Sequence, residues 1–175
     1  LRAASNISRS TLNSSLKLKK TFPSVFSIKA KIKSLLSKIE GKKKNELENL
    51  GTGAFYIVYD DGTYTNDSVD YPDFAKQVCK RVVKGEVEYG VLVCYTGIGM
   101  SITANKFKKV RAALVGSVED AGLTRGRNNS NILCLSQKNT PIELAKEITS
   151  TFLTTDFEGG RHERRVNKIG LIENE

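Results

Sequence analysis

Three short apolar runs, YGVLVCY, VRAALVG and NILCLSQ, recur at intervals long enough to hold a helix between them, and no other feature constrains the fold so much. Runs such as GVLVC and RAALV lack the polar–apolar alternation of a strand with one wet face, as strands buried on both faces should. A fourth run, AFYIVYD, comes before them. Helical patterns lie between and after: YPDFAKQVCKRVVKG, SITANKF, VEDAGLTRG and PIELAKEITSTFL. This βαβα order predicts an α/β fold, a parallel sheet with helices on both faces. Ligands in such folds bind beyond the carboxyl ends of the strands.

Cys94 falls at such an end. The run closes on its thiol and turns through Thr96, Gly97, Ile98, Gly99, Met100 and Ser101 into the next helical pattern. Loops of this form aim backbone N–H groups at one point in space, where anions bind. Glycine lets the backbone approach a ligand closely, and a helix beginning just beyond adds partial positive charge beside the thiol. The thiol is therefore a candidate base, with Thr96 the second candidate catalytic side chain. Taken alone, the pattern is more often a buried structural cysteine.

At 175 residues, 39% of them hydrophobic, the chain can bury one proper core but hardly two. Cys79, Cys94 and Cys134 sit in apolar surroundings with neither a CxxC pair nor metal-ligand spacing, so neither a disulfide framework nor a metal site is expected, and a reducing interior is. No apolar run approaches the roughly 18 to 20 residues that span a bilayer, so a soluble protein without a transmembrane segment is expected. The net charge of +9 is local. Residues 1–39 hold nine of the 28 Lys and Arg and no acid, leaving 19 basic residues against 19 acidic ones in the remainder.

Residues 1–23 are rich in Ser, Lys and Arg and start without Met, which is how organelle transit peptides and their remnants read. The division expected is a basic extension over 1–23 and one domain over 24–175. An organelle is the expected compartment, the mitochondrion first, with a plastid or the cytoplasm as alternatives. A polar tail of this kind is disordered when free, so an ordered one would be held by a larger assembly through residues 1–39, against an acidic protein surface, anionic lipid or RNA. Its only aromatics, Phe22 and Phe26, make nucleic acid the weakest of these partners.

Farther along stand TRGRNNSN (124–131) and FEGGRHERRVNKI (157–169). Together with DGTYTNDSVDYPDFA (61–75), CYTGIGMSITANK (94–106) and VRAAL (110–114), they resemble the type B ribose-5-phosphate isomerases, a family that includes the galactose-6-phosphate isomerase subunits. The resemblance runs from about Gly51 to Ile169. It implies a Rossmann-like three-layer domain working as a homodimer or heterodimer, with each active site built from both subunits, and an aldose–ketose isomerisation that needs no cofactor. It implies that Cys94 takes the proton from carbon 2 of the open sugar while the glycine-loop amides hold the enediolate oxygen. Arg161 and Arg165 match the family's phosphate-binding arginines, and guanidinium suits phosphate because its paired donors fit the oxygens. Their spacing of four puts both on one helical face, although a solvated helix would read the same way. Lys138 matches a further phosphate-contacting base, Asn128 a substrate-contacting Asn, and Asp70 and Tyr71 residues that reach the same pocket. His162, the single histidine, reads as a helix-start structural residue.

Several family positions are altered. The Asp-His-Ala-Gly that closes the family's first strand, and helps bind and open the sugar ring, occurs nowhere in the chain. SVFSIKAKIKSLLSKI (24–39) is its positional substitute and carries neither acid nor imidazole. Arg127 stands where the family has its ring-opening His, and arginine cannot shuttle a proton because it stays charged. Tyr95 replaces the first loop glycine, which threatens the close backbone approach. The stretch 42–53 reads as an insertion. Two functional expectations follow. The one these losses favour is a catalytically degenerate isomerase kept as a structural subunit of a larger organellar complex, its pocket empty or holding a sugar phosphate. The other is an active isomerase interconverting open-chain ribose 5-phosphate and ribulose 5-phosphate, with Cys94 as base. RNA association through the basic tail is a minor third.

Overall fold

A computed structural model describes residues 5–8, 46–49, 55–63 and 68–175. The elements are β1 (Ser5–Ser8), β2 (Glu46–Asn49), β3 (Phe55–Asp60), α1 (Tyr71–Lys84), β4 (Tyr89–Cys94), α2 (Ile98–Ala104), β5 (Ala112–Leu114), α3 (Val118–Asn128), β6 (Ile132–Ser136), α4 (Ile142–Thr154) and α5 (Arg161–Ile172). They form one sheet in the order β2-β3-β1-β4-β6-β5. The stretch 24–39, and 42–53 apart from β2, lie outside the described residues.

The apolar runs behave as their patterning requires. In β4 and β6 successive side chains alternate between two covered faces: Leu92, Cys94, Ile132 and Cys134 pack with Ala75, Val78 and Cys79 of α1 and Met100 of α2. Tyr89, Val91, Leu133 and Leu135 pack on the other face with Ala121 of α3 and Ile148 and Phe152 of α4. A strand covered on both sides needs apolar residues at both parities, which is why these runs show no alternation. Fully burying a side chain such as Leu92, Leu133 or Phe152 is worth roughly 1.5–3 kcal/mol relative to exposure. β5 is only partly buried, with Leu114 exposed, because it pairs with a neighbour on one side alone.

The α/β architecture with helices on both faces is the one expected, and the parallel pairing holds for β4 with β6 and β5 with β6. The other half of the sheet is mixed. β1 runs antiparallel to both β3 and β4, and β2 antiparallel to β3. Ser5–Ser8, drawn from the basic extension, thus belong to the domain's own sheet. β1 lies beside β4 with Ser5 level with Val91 and Ile7 level with Tyr89, so the chain leaves β1 at the rim opposite Cys94. Across that half, Arg81 of α1 grips Asp61 just after β3 through two bonds, Nε to Oδ2 at 2.8 Å and Nη2 to Oδ1 at 3.0 Å.

All three cysteines are free and buried. Burial pushes the Cys79 thiol up to about 12 and raises Cys134 as well, so both are inert packing groups. No described helix is long and apolar enough to cross a membrane.

Candidate active site

The loop after β4 is built around the Cys94 sulfur. Gly97 holds φ 76°, a left-handed conformation that an L side chain rarely adopts, and this turn aims its N–H at Cys94 Sγ, 3.1 Å away. An added Cβ at Gly97 would lie 3.0 Å from the carbonyl carbon and oxygen of Leu135, so β6 leaves no room for one. Thr96 Oγ1 accepts from the Ile98 N–H at 3.4 Å. The first-turn amides of Gly99 and Met100 have no helical acceptor, as at any helix start. Ser101 donates its N–H to the Gly97 carbonyl and closes the first turn. Met100 is wholly buried and anchors that turn in the core.

Tyr71, at the start of α1, lies against the loop: a Cβ on Gly99 would come within 2.5 Å of the Tyr71 ring carbon bearing the hydroxyl and 2.7 Å of the hydroxyl oxygen. Glycine at 99 is what admits the phenol. Asp70 is exposed beside it and caps α1 without a side-chain hydrogen bond. Backbone bonds from Gln137 N–H to the Cys94 carbonyl and from Lys138 N–H to the Tyr95 carbonyl, both 2.9 Å, continue the β4–β6 pairing and bring Lys138 to the loop. The Lys138 ammonium sits 5.8 Å from the centre of the Tyr95 ring. Tyr95 itself does not have a positive φ and its ring is 56% exposed. The turn's left-handed residue is Gly97.

A second cluster forms where α3 meets α5. Arg127 and Asn128, at the end of α3, share a cavity of about 360 Å³ with Arg161, His162 and Arg165 of α5. Arg161 and Arg165 do lie on one face of the helix. Ahead of them Gly160 takes φ 56° and ψ −124°, which sets the entry to α5. His162 is buried, with Nε2 3.4 Å from Glu158 Oε2 and 3.4 Å from Arg161 Nε. No residue of the Cys94 loop lines this cleft.

Arg125 was not legible as special between the other basic residues of TRGRNN. It is 5% exposed. Its guanidinium donates to Asn129 Oδ1 (2.9 Å), the Ser130 carbonyl (2.7 Å) and Tyr89 Oη (3.1 Å), and lies over the Tyr89 ring at 4.8 Å. It fastens the end of α3 to the core, and so fixes where Arg127 and Asn128 project.

The model of the ribose/galactose isomerase family matches residues 24–169. The chain belongs to that family. Ribose-5-phosphate isomerase B of Escherichia coli is 43% identical over 116 residues, covering 66% of this chain and 78% of the relative. The structure of the Leishmania infantum type B ribose 5-phosphate isomerase superposes with a TM-score of 0.70 at 41% identity, covering 85% of this chain and 91% of that one. That of Mycoplasma genitalium ribose-5-phosphate isomerase B, with bound ribulose-5-phosphate, gives 0.62 at 44% identity over 65% of this chain and 75% of that one.

Proposed function

We propose that this family member interconverts an aldose phosphate and a ketose phosphate, taking its substrate in the open-chain form. The observation that supports this most directly is the Gly97 N–H held 3.1 Å from Cys94 Sγ at the mouth of an amide-lined loop. In this reading Cys94, as thiolate, removes the proton from carbon 2. The freed electron pair forms the C1=C2 double bond, and the carbonyl pair moves to O1. First-turn amides of α2 face the resulting oxyanion, and returning the proton to carbon 1 gives the ketose. Thr96 stands beside the thiol to move the hydroxyl proton between O1 and O2. Arg161 and Arg165 take the phosphate with Asn128 beside them, while Lys138, Asp70 and Tyr71 flank the sugar chain. The two half-sites meet when the loop of one protomer faces the cleft of its partner.

Ring opening is the step for which this chain has no evident group. Arg127 cannot transfer a proton, and no Asp-His-Ala-Gly stands in the sequence. A ketose phosphorylated on carbon 5 has no hydroxyl with which to close a five-membered ring on carbon 2, so ribulose 5-phosphate is open throughout. Purified protein should therefore turn over ribulose 5-phosphate with a higher kcat/KM than ribose 5-phosphate. Cys94→Ala should lower kcat roughly 10²- to 10⁴-fold, the usual contribution of a positioned base.

A second reading follows from the same departures: a degenerate isomerase acting as a scaffold subunit in an organelle, with the basic residues 1–39 facing its partners. No turnover in either direction from folded protein would reject the first reading in favour of this one.

A further inference from the structure

Past the end of the β4–β6 pairing, the Cys94 loop stays fastened to the turn that follows β6. The Tyr95 carbonyl accepts twice there, from the Lys138 N–H at 2.9 Å and from Ser136 Oγ at 3.1 Å. Ser136 is buried, and its Oγ also accepts from the Asn139 N–H at 3.1 Å. With the two backbones fixed, only side-chain torsions remain free between the Tyr95 ring and the Lys138 ammonium, which lies 5.8 Å from the ring centre. That separation is within the reach of a cation–π contact. Both side chains are exposed, and Lys138 has no ion-pair partner among the described residues. A carboxylate in place of the ring would hold the lysine and neutralise it. An aromatic face holds it and leaves the charge, and an ammonium with three N–H donors keeps donors free on the side away from the ring.

A lysine gains more from such a hold than an arginine would. Its ammonium is a point charge on a flexible stem, whereas the arginine fork is pre-organised for phosphate. A free lysine chain gives up its rotamer freedom when it closes on an anion, and one already held against a ring gives up less. We propose that Tyr95 is a positioning residue whose ring holds the Lys138 ammonium beside the Cys94 loop, charged and partly ordered, for an anionic group of the ligand. The tyrosine that stands in place of a loop glycine is then matched to the lysine across from it. The inference rests on the sugar-phosphate reading above and gives one of its binding groups a support.

The test is a double-mutant cycle read by calorimetric titration of ribulose 5-phosphate into the full chain at low ionic strength. Tyr95→Leu keeps apolar bulk without a π face and should weaken binding about two- to fivefold, the range of an exposed cation–π contact. Tyr95→Phe returns the face and should restore the affinity. In a Lys138→Gln background Tyr95→Leu should weaken binding no further, because a positioning residue acts only through the group it positions. Proton NMR adds a readout independent of the ligand. The Lys138 ε-methylene should lie upfield under the ring current in the wild type and in Tyr95→Phe, and move to the position of a free lysine in Tyr95→Leu. Tyr95 is 56% exposed, so these replacements leave the fold intact. Equal affinity in the wild type and Tyr95→Leu, the same weakening with and without Lys138, or an ε-methylene signal that Tyr95→Leu does not move, overturns this inference alone. Failure of the wild type to bind ribulose 5-phosphate overturns the sugar-phosphate reading with it.

Discussion

Two glycines in one loop are needed for different physical reasons, and their substitution should fail in different ways. At Gly97 the constraint is the backbone: φ is 76° and the carbonyl of Leu135 stands 3.0 Å from any added Cβ. Neither can yield cheaply, because Leu135 is a buried β6 residue. At Gly99 the obstacle is the ring of Tyr71, a partly exposed side chain at a helix start that can swing aside. Gly97→Ala should therefore cost about 1–3 kcal/mol, the price of an L residue held in a sparsely populated region, and displace the N–H from the Cys94 sulfur. Thermal unfolding should show a Tm several degrees lower, and kcat should fall with it. A Gly97→Ala protein with unchanged Tm and unchanged kcat would mean that the turn does not set the thiol's surroundings.

At the scale of elements, α5 carries the arginines proposed to bind phosphate, and its entry is set by a conformation rather than by packing. A Cβ at Gly160 would meet nothing within 4 Å, yet φ 56° with ψ −124° is closed to other residues. Gly160→Ala is expected to fray the first turn of α5 and misplace Arg161 and His162 while leaving the sheet alone. Phosphate-ester affinity should drop about tenfold or more with Tm nearly unchanged, and hydrogen exchange should quicken in residues 161–165 only. The buried strands β4 and β6 and the helices α1 and α4 were readable in sequence because each buried strand is a continuous apolar run and each of these helices carries an apolar stripe. The Cys94 loop and the Arg161–Arg165 face were readable for the same reason, being local patterns. What was not readable depends on contacts distant in sequence. Arg125 looks like one more surface base in TRGRNN until Tyr89 is placed beneath it. Tyr95 looks like a lost glycine until the left-handed φ is found two residues later. The antiparallel entry of Ser5–Ser8 between β3 and β4 has no signature in a tail of Ser, Asn and Arg, since strand direction is decided by the partners' edges.

For the whole molecule, the Cys94 loop does not line the cleft that holds Arg161 and Arg165 among the described residues. Large apolar side chains are exposed on both helices. Ile98 and Ile102 of α2 are more than half exposed, at 52% and 58%, as are Leu171 and Ile172 at the end of α5, at 66% and 65%. Large apolar side chains grouped on exposed helices are normally covered, and closed two-fold association covers both copies of a patch at once. A dimer that turns the Cys94 loop of one protomer toward the α3–α5 cleft of the other would complete two sites from four halves. Mixing variants tests this directly. Cys94→Ala and Arg161→Gln should each be inactive alone. In a mixed dimer one site would carry both defects and the other neither. Random exchange of equal amounts makes half the dimers mixed, so about a quarter of the wild-type activity should return. If all the groups acted within one chain, every site in the mixture would carry one defect and no activity would return.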